Sequence, residues 1–262
     1  MSLERVAARV RELAVGYEPP DFAEVPTPDA AVFLTAIDHR TGYRESHEVD
    51  GAGPYEGSAL LWALGLRAER RAPGALTARS LLGVDPAAIA AVFRIGGESL
   101  ADPERRAQLW DDLARGLIEN YQGEASTLIA ATGGRLGGDG ALKLLGGFEA
   151  FSDPLQKKSF LVCKIWERRG WLTVADPQNW EVSADNVLMR LALRSGLVGE
   201  GKVEEVRAAT RNAFKQVAER AEIPPPLLDD LLWERGREDP DLLGREGGDL
   251  SEPPRAGGAE FY

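Results

Sequence analysis

Apolar residues recur along this chain at three- and four-residue intervals with polar residues between them, the signature of amphipathic helices. Residues 2–15 put Leu3, Val6, Val10 and Leu13 on one face, before Tyr17-Glu-Pro-Pro and Val25-Pro-Thr-Pro break the pattern. Pro28-Asp29 opens a second helix carrying Val32, Phe33, Ala36 and Ile37. From Asp38 to Gly57 the chain is polar and Gly-rich, and reads as loop. Helical signals then cover 58–72, 77–82 and, from the Asp85-Pro86 start, the stretch to Phe93. Asp102-Pro103 starts a longer helix through Trp110, Leu113 and Leu117 to about Tyr121. Residues 124–131, 141–145, 154–169, 184–195 and 203–221 continue the pattern, and Asp229–Gly236 supplies a closing helix. Strand signals are confined to short segments such as Trp171–Val174. The expected fold is all-α, a two-lobed helical bundle of at least eight helices. It forms one domain over 1–238, followed by a weakly ordered tail over 239–262 rich in Gly, Pro and acids.

A chain of 262 residues can bury a substantial core, and 44% hydrophobic with 28% charged residues excludes disorder throughout. No apolar run approaches the roughly 20 residues needed to span a bilayer. The N-terminal MSLERVAARVRELA lacks an apolar signal core, so a cytoplasmic location is expected. Cys163 is the single cysteine, His39 and His47 are poorly spaced for a shared ion, and neither a metal nor a cofactor is expected. The net charge of −11 changes the picture most. Proteins that grip a nucleic-acid backbone draw most of their affinity from phosphate contacts and carry a basic surplus. The acidic balance therefore favours a small-molecule partner over duplex DNA.

The candidate chemistry lies between Asp153 and Val198. Asp153-Pro154 begins a helix with Lys157, Lys158 and Ser159 in its first turns and Val162, Ile165 and Trp166 on its apolar face. A later helix begins near Ser183-Ala184-Asp185, where the helix dipole and open N–H groups favour an ionised carboxylate. Taken singly, a lysine pair at a helix head is ordinarily solvated surface, and Asp185 is ordinarily a cap. Gly133-Gly134 and Gly137-Gly138 have neither a preceding strand nor a following Lys-Ser/Thr, so they form a flexible loop and not a phosphate cradle.

The two helices together resemble the helix-hairpin-helix glycosylase superfamily, which pairs a Lys at one helix head with an Asp opening a later helix. The second part reads Val182-Ser-Ala-Asp185-Asn-Val187-Leu-Met-Arg190-Leu-Ala-Leu-Arg194-Ser-Gly196-Leu197, similar to that superfamily's Val-Asp to Gly-Leu pattern. Lys158-Ser159 stands where most members have Lys-Thr, and Lys157 matches a neighbouring subfamily, so both lysines remain candidates. Residues 55–200 also follow the order of pieces in the queuosine salvage proteins: Tyr55–Trp62, Asp85-Pro86, Phe93-Arg94, Pro103-Glu-Arg-Arg106, Tyr121-Gln-Gly123, Phe148–Phe151, Gln156–Ser159 and Ala184–Val187. The family's Asp-Tyr-Arg is Asp185-Asn186-Val187 here, and its base-holding aromatic segment is replaced by Ile37–Tyr43. The Gly-rich hairpin with which DNA glycosylases hold a phosphate is replaced by Phe151-Ser-Asp-Pro-Leu-Gln156, which has no glycine and carries an acid.

The resemblance implies N-glycosidic bond cleavage, with Asp185 stabilising the positive charge that builds on the sugar. Lys157 or Lys158 would attack C1′, anchor a 5′-phosphate or protonate the leaving base. Asp38, His39 and Tyr43 are candidates for lining the pocket. Phe148, Phe151 and Trp180 fit the core, and can alternatively stack on a base. Three functions follow: a hydrolase of nucleoside 5′-phosphates, a DNA glycosylase that extrudes a damaged base, or a non-catalytic helical nucleotide-binding protein.

Overall fold

The computed structural model describes residues 2–250. Twelve α-helices and one hairpin occur among them. In chain order they are α1 (Leu3–Ala14), α2 (Pro28–Ile37), β1 (His47–Val49), β2 (Ala52–Tyr55), α3 (Gly57–Arg71), α4 (Ala78–Leu81) and α5 (Pro86–Val92). There follow α6 (Pro103–Tyr121), α7 (Ala125–Ala131), α8 (Ala141–Leu145), α9 (Lys157–Arg168), α10 (Asn186–Arg194), α11 (Val203–Ala221) and α12 (Pro225–Glu238). The all-α expectation holds. No helix among the described residues is long and apolar enough to cross a membrane.

The chain divides into two units, and the smaller is discontinuous in sequence: 2–21 join 177–250, while Phe22–Asp176 form the larger. The larger unit is built around α2, whose residues Ala30 to Ile37 are all buried. A helix apolar on every side must be enclosed, and α3, α6, α7 and α9 pack around this one. Trp110 of α6 pins it by donating its indole N–H to the Phe33 carbonyl at 2.7 Å. From α9, Phe160, Val162, Cys163, Ile165 and Trp166 are buried, each large apolar side chain contributing about 1.5–3 kcal/mol by leaving water.

In the smaller unit α1 returns to pack on α11 and α12, and α10 lies against the same two helices. Val6 and Val10 share this core with Leu188, Leu191, Phe214, Leu228 and Leu231.

Several segments differ from the sequence expectations. The loop expected over Asp38–Gly57 contains the β1–β2 hairpin, in which His47 pairs with Tyr55 and Val49 with Ala52. Its turn residues Asp50 and Gly51 have φ of +53° and +81°, and Asp-Gly is a strong two-residue hairpin signal. Trp171–Val174 forms no strand, because the Trp171 and Leu172 N–H groups turn back to the Trp166 carbonyl that ends α9. The tail is ordered as far as it is described: Leu242 and Leu243 belong to the smaller unit's core, and Arg194 binds Asp241 at 2.7 Å. Its remainder, 251–262, lies outside the described residues.

Candidate active-site residues

Helix α9 starts three residues later than its Asp153-Pro154 opening suggests, since Gln156 has a left-handed φ of +54°. Asp153 supplies the lead-in. Its carboxylate accepts from Leu155 N and Lys157 N, both at 3.0 Å, and the residue is buried. Protein backbone amides at the head of α9 are thus already bound to a protein carboxylate.

That start separates the two lysines. Lys157 is half-buried, whereas Lys158 is 1% exposed. Lys158 Nζ donates to the Ala36 carbonyl at 2.6 Å and lies 3.2 Å from Nδ1 of His39. Ala36 belongs to the last turn of α2, whose carbonyls have no partner within the helix and attract cations.

The residues after α2 are fixed from several sides. Asp38 caps the helix, and its Oδ2 accepts from Ser58 Oγ at 2.7 Å and Trp62 Nε1 at 2.9 Å. His39 is buried, and its backbone carbonyl accepts from the guanidinium of Arg106. Arg106, fully buried, also donates to the carbonyls of Ala101 and, at 3.3 Å, Arg40. Burial draws the Arg106 pKa down to about 10. Burial, then the positive charges of Lys158 and Arg106, holds the His39 imidazole far below the usual histidine range, so the ring is neutral. Tyr43 donates its hydroxyl to the Phe93 carbonyl at 2.7 Å, and burial pushes its pKa up to about 12.

Of the sequence candidates in the larger unit, His39 and Lys158 are therefore in contact. Asp38 and Tyr43 spend their polar groups on the scaffold. Phe148 and Phe151 are core residues rather than exposed stacking faces, at 6% and 1% exposure. Phe148 lies beside Tyr121 and over Gly116, where a Cβ would come within 2.6 Å of its ring. The Gly133–Gly140 loop closes on Asp176, whose carboxylate accepts from Leu136 N at 2.7 Å and Gly137 N at 3.0 Å.

In the smaller unit, Asp185 is the N-cap of α10. Its Oδ1 accepts from Val187 N at 2.9 Å and Leu188 N at 3.0 Å. Two buried residues hold the approach to the cap: Asp229 accepts from Ser183 N at 2.8 Å, and Arg207 Nε donates to the Ala184 carbonyl at 3.1 Å. Trp180 is buried, and borders a cavity of about 250 Å³ with Pro177, Lys215 and Glu219 among its other walls. Among the described residues, no cluster of His, Cys, Asp and Glu is arranged to hold a metal.

Sequence reasoning missed Arg106, Arg207 and Asp229. Arg106 had left a signal, because it shares a helical face with Trp110, Leu113 and Leu117 and so points inward. Arg207 left the same signal, sharing a face of α11 with Thr210, Phe214 and Val217; the main-chain groups that Arg207 and Asp229 bind are distant in sequence and left none.

No protein-family model matches the chain, and neither does any curated protein. Among solved structures it is similar to endonuclease III in a trapped covalent intermediate with DNA, an estranged-adenine complex. The TM-score is 0.57 at 13% identity, over 91% of this chain and 87% of that one. It also matches Pa-AGOG, the 8-oxoguanine DNA glycosylase from Pyrobaculum aerophilum, complexed with 8-oxoguanosine, at TM-score 0.39 and 16% identity over 90% of this chain and 80% of that one. The largely helical fold of the chain resembles the helix-hairpin-helix glycosylase fold of endonuclease III.

Proposed function

We propose that this protein hydrolyses the N-glycosidic bond of a nucleoside 5′-phosphate, with Asp185 as the working carboxylate and Lys158 as the working cation. The reaction class is supported by the fold's likeness to endonuclease III together with a capped, mostly buried Asp185 and a buried Lys158. As the C1′–N bond breaks, positive charge grows on the sugar and a fixed carboxylate opposes it. Asp185 Oδ1 is engaged by the helix, which orients the group. The C1′–N bond breaks as water's oxygen bonds C1′; the proton that water gives to the carboxylate passes on to the departing base, so OH ends on the sugar, H on the base, and Asp185 is again ionised. Ala36 O and neutral His39 Nδ1 are both acceptors, the partners of an ammonium, so Lys158 serves as a cation for the leaving base or the phosphate.

The observation that carries the substrate class is Asp153. An acid occupying the backbone amides before α9 opposes a DNA phosphate there, and Asp176 fills the Gly-rich loop in the same way. The net charge of −11 points in the same direction. The order of sequence pieces shared with queuosine salvage makes queuosine 5′-phosphate the first substrate to try.

The test is release of free base from a panel of nucleoside 5′-monophosphates, lost in Lys158→Ala and Asp185→Asn. A second reading, a DNA glycosylase with lyase activity, is favoured by the likeness to endonuclease III. Borohydride trapping of a Lys158–DNA adduct, with no base release from mononucleotides, would replace the first reading by the second.

A further inference from the structure

Nδ1 of His39 contacts Lys158, and hydrolysis as described gives the imidazole no proton to carry. Its Nδ1 lies 3.2 Å from Lys158 Nζ, and the residue is 7% exposed. With Lys158 as an ammonium, which can only donate, Nδ1 carries the lone pair and the ring proton sits on Nε2. The histidine is itself immobilised. Its N–H donates to the Ile37 carbonyl at 2.9 Å, and its own carbonyl is held by Arg106.

We propose that His39 is a positioning residue: its Nδ1 and the Ala36 carbonyl form a two-point acceptor that fixes the Lys158 ammonium and favours its protonated form. The proposal rests on Lys158 being the working lysine. A long lysine side chain loses rotamer freedom when held, and a pair of rigid acceptors offsets that cost before substrate arrives. Only a neutral imidazole can do this, because a protonated ring would present a second buried cation and no lone pair. The surrounding charges enforce neutrality. Burial and the cations Lys158, Arg106, Lys157 and Arg105 all oppose protonation of the ring. Asp102, Asp38 and Tyr43 bear on Arg106 instead, and Glu98 and Arg67 on Tyr43. In this role His39 is an uncharged acceptor.

The test follows Lys158 in full-length protein labelled with ¹³C at lysine Cε, by NMR titration without substrate, with the resonance assigned through Lys158→Arg. In His39→Leu the Lys158 midpoint should fall by about one pH unit, because the charged form has lost an acceptor. His39→Asn places an amide oxygen near the position of Nδ1 and should restore the midpoint. His39→Gln reaches toward the position of Nε2 and should not. An unchanged midpoint in all three variants, or equal rescue by Gln, overturns the proposal. Should the variants not fold, ¹⁵N spectra of histidine-labelled wild type decide it: an unprotonated Nδ1 supports the proposal, and a protonated Nδ1 defeats it. Failure of every nucleotide to release base would defeat the proposed activity and leave this titration result standing, so the two claims fail separately.

Discussion

Nζ of Lys158, on α9, lies 2.6 Å from the main-chain oxygen of Ala36, in the closing turn of α2. A side chain from one helix thereby satisfies a carbonyl that the other helix leaves open. The same lysine is the candidate for chemistry, so structural and chemical consequences of changing it must be separated.

Lys158→Ala should lower stability by about 2–3 kcal/mol, because two buried acceptors, Ala36 O and His39 Nδ1, lose a donor. Lys157→Ala, at a half-buried position, should stay within about 0.5 kcal/mol of wild type. Urea unfolding of both variants measures this. Base release should disappear in the first and persist in the second, and the reverse outcome would move the working lysine to Lys157.

Asp185 allows a cleaner separation. Asn caps a helix about as well as Asp, so Asp185→Asn should leave the unfolding free energy nearly unchanged, whereas Asp185→Ala should cost about 1 kcal/mol. If the carboxylate works electrostatically, both should lose activity by on the order of 100-fold or more. Full activity in a stable Asp185→Asn protein would make Asp185 a cap and nothing else.

Stability should depend on pH through His39. The native ring stays neutral, while in the unfolded chain it titrates near 6.5. Below that value the unfolded state takes up a proton that the native state does not. Stability is therefore full above the unfolded pKa and falls with decreasing pH, by up to about 1.4 kcal/mol per pH unit. Denaturation curves from about pH 7 to about pH 5 should show this slope for wild type, and a shallower one for His39→Asn.

Arg106→Met should be among the most damaging single changes. It keeps the bulk but strands the carbonyls of His39, Arg40 and Ala101, which Arg106 holds from a fully buried position. A loss of about 3 kcal/mol or more is expected in thermal or urea unfolding. Retention of wild-type stability would show that these carbonyls find other donors.

Local signals determined much of this protein. Helix spacing and Asp-Pro starts placed the helices, because apolar periodicity and caps act within a few residues of one another. Asp185 was legible for the same reason: its cap partners are Val187 and Leu188. The Asp50-Gly51 hairpin was also written locally, although the polar composition around it masked it. The choice between Lys157 and Lys158 was not, since both sit at the head of α9 and only the packing of α2 against it decides which one is enclosed. Likewise, nothing in the neighbourhood of His39 foretold its partner, a lysine 119 positions away. Burial and long-range polar pairing depend on which helices meet. The tertiary structure decided that.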